Sequence, residues 1–190
     1  MIYDSQIFIV VDIEADGPAV GLNSMLSLAA VATTEKEEVS SFYRKLMTLP
    51  DASPDPGTTA WWQENEEALT EATIDAQPPE QVMTEFYNWI NELGREPVFV
   101  AYPIGLDYTF VSWYLFRFAP GNPFKNKKNG IRTLDLKSYV VGKLGLPFAS
   151  AQRESWPKEV TKDMPAHTHN ALDDAIGHAV ALRRLIAMGN

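Results

Sequence analysis

The chain has 190 residues, 45% of them hydrophobic, enough to bury one substantial core, so a single domain over residues 1–190 is expected. It contains no cysteine, which excludes disulfides, thiolate nucleophiles and Cys-ligated zinc or iron–sulfur centres. A net charge of −9 argues against broad electrostatic binding to duplex nucleic acid, yet leaves room for a short single strand in a cleft where metal ions supply the positive charge.

The first element is QIFIVVDIE, an apolar run rich in β-branched residues that reads as a buried central strand. Alternation puts Phe8, Val10, Asp12 and Glu14 on one face and Ile7, Ile9, Val11 and Ile13 on the other. SMLSLAAVAT and VSSFYRKLM read as two further strands separated by the polar turn TEKEE, and the three are expected to form an antiparallel meander. After the Pro-rich loop LPDASPDPG, the stretch TTAWWQENEEALTEA reads as helical, with Thr58 or Thr59 as N-cap. PPEQVMTEFYNWINELG is a second helix: Val82, Phe86, Trp89 or Ile90, and Leu93 recur at helical spacing, proline opens it, and Gly94 suits the C′ position. There follow a short strand PVFVAY, a helix around LDYTFVSWYLFRF, a basic loop, the strand-to-helix unit GIRTLDLKSYVVGKLG, and a last helix from about Asn170 to Ala187 with Arg183 and Arg184 near its negative end. A meander followed by alternating strands and helices implies an α/β fold, a mixed sheet flanked by helices.

Ligands of such sheets gather at strand ends and helix starts, and the acidic residues sit there: Asp12 and Glu14 late in the first strand, Asp107 just after PVFVAY, Asp174 in the first turn of the last helix. Two carboxylates on one face of a buried strand end repel each other and lose hydration unless a cation or hydrogen-bond donors compensate them. A magnesium or manganese site does so. If the strand instead ends at Asp12, both acids are solvated in the turn ADGP. Asp173 competes with Asp174, because it lies four residues after His169 on the same helical face. Asp135 reads first as an N-cap and Asp16 as a turn former.

DIEADG at 12–17, DYTF from Asp107 and HNALDDA at 169–175 resemble, in order and spacing, the three exonuclease motifs of DnaQ-like 3′-to-5′ exonucleases. The spacing of His169 and Asp174 resembles the DEDDh branch, and the likeness extends from about Gln6 to about Ile186. The resemblance implies a ribonuclease H-like fold with a five-stranded mixed sheet, and two divalent metal ions, Mg2+ or Mn2+, held by Asp12, Glu14, Asp107 and Asp174. It also implies that His169 takes the proton of the attacking water, releasing nucleoside 5′-monophosphates from a 3′ end. His167 does not fit that role, since five positions on lies Leu172. The family pattern prefers Asp174 over Asp173. The chain departs from the pattern at Pro103 and Leu106, where many relatives carry Asn and Phe, which bears on the fine geometry of the site.

Substrate contacts are expected from Gly17, Ser24, Met25, Leu26, Trp61 and Trp62, the aromatics by stacking on terminal bases. Neighbouring tryptophans on a helix do not share a face, so at least one is expected in the core, and Gly17 reads equally as a turn glycine. KNKKNGIR, with Lys125, Lys127, Lys128 and Arg132, reads as a solvated loop before a phosphate track. The segment DPGTTAWWQENEEA is similar to part of phage-type and actinobacterial exoribonucleases, which leans the substrate toward RNA. The alternatives are an accessory module acting beside a polymerase or other nucleic-acid enzyme, and a phosphoesterase on small substrates. Many relatives dimerise, so a homodimer is expected. Neither a signal core nor a bilayer-length apolar run is present, so the expectation is a cytoplasmic protein with no membrane partner.

Overall fold

The β-branched run forms strand β1, Gln6–Ala15, which continues through both acids rather than stopping at Asp12. The computed structural model describes residues 5–126, 130–166 and 168–189. Strand β1 pairs antiparallel with β2 (Met25–Thr33), and β2 with β3 (Glu38–Lys45), giving the expected meander. Its other edge pairs in parallel with β4 (Glu96–Ala101). A hairpin of β5 (Lys125–Asn126) and β6 (Gly130–Ile131) precedes β7 (Thr133–Asp135), which adds in parallel to β4. The five-stranded sheet has the order β3-β2-β1-β4-β7.

Seven helices are described. The stretch around the tryptophan pair is two helices, not one: α1 (Pro56–Glu64) and α2 (Glu66–Thr73), broken at Asn65. The expected cap at Thr58 or Thr59 is corrected to Asp55, whose Oδ2 accepts from Thr58 N at 2.9 Å. Pro56 then takes the first helical position, where its missing N–H costs nothing. Helix α3 (Pro79–Glu92) ends before Gly94, whose φ of +64° is the left-handed conformation that favours glycine. Then come α4 (Ile104–Phe118), α5 (Leu136–Leu144), the one-turn α6 (Lys158–Thr161) and α7 (Ala171–Ala187). Asn170 caps α7, its side chain accepting from Leu172 N at 2.9 Å. Among the described residues no helix is long and apolar enough to cross a membrane.

The period-2 pattern of β1 builds two cores, one on each side of the sheet. Ile7, Ile9, Val11 and Ile13 pack with Val82, Phe86 and Ile90 of α3 and Phe110 and Tyr114 of α4. Phe8 and Val10 pack with Leu136 and Val140 of α5 and Ala175 and Leu182 of α7. A slip of one residue would exchange the two sets and turn Asp12 and Glu14 toward α3 and α4, at about 1.5–3 kcal/mol for each large side chain misplaced. Register therefore fixes which layer the acids meet, and that layer is α7.

Candidate active site

The site lies where β1 outruns its neighbour. Pairing with β4 ends at Val10↔Val100, whereas pairing with β2 continues through Asp12↔Ala29 and Glu14↔Ser27. The acid-bearing end of β1 is thus left with one backbone edge to satisfy. Asp107 takes part of that edge: it sits in the first turn of α4, directly after β4 ends, and its Oδ1 accepts from Ile13 N at 3.0 Å. Asp174, in the first turn of α7, is 2% exposed and lies against the α7-facing side of β1. Asp173 is turned away and accepts from Thr168 Oγ1 at 2.7 Å. Of the two adjacent acids, the structure puts Asp174 with the others.

These four carboxylates act on one another. Burial pushes Asp12 well above the ordinary range, with Asp107, Glu14 and Asp174 adding to the rise and Arg153 opposing it. Burial, then the charges of Asp174 and Asp107, raise Glu14 to about 8. Burial raises Asp107 to about 7, against the stabilising backbone hydrogen bonds of its own N–H and Ile13. The Asp12 side chain keeps 18% exposure, so water still reaches the cluster. Among the described residues no three His, Asp or Glu side chains close into a ready-made metal cage. The donor set nonetheless suits a hard cation: all-oxygen, anionic, and buried at a cost that positive charge would offset.

His169 sits in the turn that leads into α7 with φ of +55°, a left-handed conformation uncommon for a residue with a Cβ and frequent at functional sites. Its ring meets Trp61 edge-on, centroids 5.0 Å apart and planes at 83°. Trp61 is 36% exposed, while its neighbour Trp62 is buried, with Nε1 donating to Ala15 O at 3.0 Å. One tryptophan is core and the other faces the site. His167 and the lysines Lys127 and Lys128 lie outside the described residues.

The other expected substrate contacts turn inward. Ser24 Oγ accepts from Leu49 N at 3.0 Å. Met25 belongs to the core under α4, its N–H donating to Tyr114 Oη at 2.8 Å, and Leu26 packs with Trp62 and Ala72. The side chains of these three are taken up inside the fold, where the chain after residue 23 enters the sheet interior. At Gly17 it is the turn reading that an observation supports: a Cβ there would stand 2.3 Å from Asn23 Cγ, so the glycine makes room for a side chain of the same loop. Asn23 braces that loop, accepting from Ala19 N at 2.9 Å and donating to Ser53 O at 2.8 Å. The loop leaves Leu22 71% exposed.

Asp16 and Asp135 take the structural roles expected of them. Asp16 accepts from Ser24 N at 2.5 Å, and Asp135 caps α5 through Ser138 N at 3.0 Å while also accepting from Ile104 N at 3.0 Å. Pro103 is the N-cap residue of α4, and Leu106 is exposed. Arg132 pairs with Glu96 at 3.3 Å, at the end of the sheet where β1 and β4 begin, remote from the acids. Two residues at the acids escaped the sequence reading. His178 Nδ1 lies 3.8 Å from Asp12 Oδ1, and Arg153 Nη1 lies 3.1 Å from Asp174 Oδ1. His178 follows Asp174 by one helical turn, so helical spacing could have found it; Arg153 lies in an irregular stretch with no local signal.

Comparison with known proteins fits this geometry. The RNase T family, described as exonuclease, matches residues 9–180. The 3′-5′ DNA exonuclease Cap18 of Escherichia coli is 32% identical over 180 residues, covering 90% of this chain and 87% of that protein. The nuclease domain of 3′hExo, a DEDDh family member bound to rAMP, matches with a TM-score of 0.71 at 14% identity, covering 98% of this chain and 94% of that one. The metal-free E. coli ExoI–ssDNA complex matches with a TM-score of 0.64 at 15% identity, covering 97% of this chain and 40% of that one.

Proposed function

Since the chain belongs to the RNase T exonuclease family, and is a DnaQ-like 3′-to-5′ exonuclease of the DEDDh type, we propose that it shortens single-stranded nucleic acid from the 3′ end by metal-assisted hydrolysis. The observation that carries this reading is the meeting of four carboxylates from β1, α4 and α7, Asp107 and Asp174 buried and Asp12 and Glu14 half-buried, beside a histidine held at the mouth of α7. Asp12, Glu14, Asp107 and Asp174 would hold two divalent cations, Mg2+ or Mn2+. Such ions supply positive charge where a phosphodiester accumulates negative charge on attack.

The protein's own residues do the rest. Asp107 is fixed by its bond to Ile13 N, and Asp12 and Glu14 by the pairing of β1 with β2, so three carboxylates are positioned by backbone. His169 is the general base that takes the proton of the attacking water, a task suited to an imidazole. Trp61, packed against His169 and partly open to solvent, offers the terminal base a stacking surface. Leu22, on the loop after β1, is a second large apolar side chain left exposed. The likeness to Cap18, a DNA exonuclease, makes single-stranded DNA the favoured polymer; the leaning toward RNA rests on the shorter likeness around the tryptophan pair.

The test is digestion of matched 5′-labelled DNA and RNA oligomers with Mg2+ or Mn2+, beside an Asp12→Ala, Glu14→Ala double variant. A ladder shortening from the 3′ end, faster on DNA and absent from the variant, is expected. No shortening of either polymer by folded protein would refute the reading.

A further inference from the structure

Arg153 is a cation built into the acid cluster. It stands in the 3-10 turn Arg153–Ser155, between α5 and α6, and reaches across to α7. Nη1 is 3.1 Å from Asp174 Oδ1, and Nη2 donates to Pro165 O, upstream of His169. Both partners of the ion pair are withdrawn from water, with side-chain exposures of 15% and 3%. The charge also reaches Asp12, where it acts against the three neighbouring acids.

The helix is shaped to admit this side chain. Gly177 lies three residues after Asp174, and a Cβ there would stand 3.2 Å from Nη2 and 3.4 Å from Nη1 of Arg153. Glycine inside a helix costs about 1 kcal/mol relative to alanine. At Gly177 that cost clears the seat of the guanidinium.

We propose that Arg153 sets the metal affinity of the site: its fixed charge stands in for part of the cation charge at Asp174, holding the cluster together without metal and weakening metal binding by repulsion. This rests on the metal-site reading given above. A guanidinium is a fixed cation, so its charge is not withdrawn when a divalent ion arrives. Even with the full screening of bulk water, a unit charge about 5 Å from a dication changes affinity by more than about tenfold. Removing the charge should therefore tighten metal binding while loosening the metal-free protein. A residue that merely oriented Asp174 would, when removed, weaken metal binding.

The experiment is calorimetric titration of chelator-stripped protein with Mn2+, and thermal melting in EDTA and in Mn2+, for wild type, Arg153→Gln, Arg153→Lys and Asp174→Asn. Expected are a Kd at least about tenfold lower for Arg153→Gln, a lower melting temperature in EDTA, and a larger rise on adding Mn2+. Arg153→Lys should stay within about threefold of wild type because it keeps the charge. Equal or weaker Mn2+ binding by Arg153→Gln, with wild-type binding intact and lost in Asp174→Asn, overturns the role of Arg153 alone. Absence of Mn2+ binding by wild type overturns the metal-site reading, and this proposal with it. Should Arg153→Gln not fold without metal, Arg153→Met serves instead: it removes the charge while keeping an unbranched stem on the seat, and tighter Mn2+ binding is expected, whereas unchanged or weaker binding counts against the proposal.

Discussion

With divalent ions chelated, the protein should lose stability as pH rises from about 5 to about 8.5. Glu14 is raised from an ordinary 4.5 to about 8, and Asp107 from 3.8 to about 7. Between each pair of values the folded chain holds a proton that the unfolded chain has released. The folded state then binds more protons, and the slope of unfolding free energy with pH is negative. The contribution is fully present below the ordinary carboxylate values and is lost as pH passes through about 7 and about 8. At about 1.4 kcal/mol for each pKa unit, the two shifts correspond to about 5 and about 4 kcal/mol. They do not add, because the acids titrate as a group, and water reaches the cluster past Asp12, so about 3 kcal/mol is the working figure. For a chain of this size that is a fall of about 6–12 °C in melting temperature. Melting in EDTA across the pH range measures it, with Mg2+ added at the alkaline end to restore the loss. Glu14→Gln, which cannot ionise, should flatten the profile. A flat or rising profile for wild type, or an unchanged slope in Glu14→Gln, would refute the electrostatic account.

His169→Ala should lower kcat by about 10²–10⁴ while leaving calorimetric Mn2+ binding near wild type, since the ring is a base and not a ligand in this reading; a parallel loss of metal binding would contradict that assignment. Asp174→Ala should abolish metal binding, whereas Asp173→Ala, which loses its bond to Thr168, should leave binding within about twofold. Trp62→Ala should destabilise by about 3–5 kcal/mol, as a large core side chain and its bond to Ala15 O are both removed, and chemical denaturation reads this directly. Trp61→Ala should instead raise KM for oligonucleotides with little change in melting temperature, because a third of its surface is already solvated.

The parts of the fold legible in the sequence are those written in local periodicity and end signals. Alternation in β1 separated the two cores residue by residue, and the acids inherited their face from Phe8 and Val10. Proline before and glycine after α3 marked that helix, and the position of Asn170 marked the start of α7. Where two end signals competed, the reading erred. Thr58 and Thr59 are good caps in isolation, but Asp55 followed by proline is a better one, and the run divides at Asn65, which stands as the N-cap of α2. The strand read as SMLSLAAVAT forms over Met25–Thr33, but nothing local told that Ser24, Met25 and Leu26 would all have their side chains buried.

The candidate site divides along the same line, and the division has a physical cause. Its acids could be read because each stands at the end of an element whose type is local information. Two of their partners could not, because each comes from a distant part of the chain: Ile13 meets Asp107 across 94 residues, and Arg153 meets Asp174 from a turn 21 residues away. Such contacts form only once the sheet has assembled and β4 has stopped short of β1. The charges they adjust are those of the acids themselves. A sequence can therefore announce which carboxylates gather, while the affinity of the gathered cluster for a cation is set by side chains that its motifs do not include. In this chain Arg153 is such a side chain, and the glycine that seats it on α7 is the sequence trace it leaves.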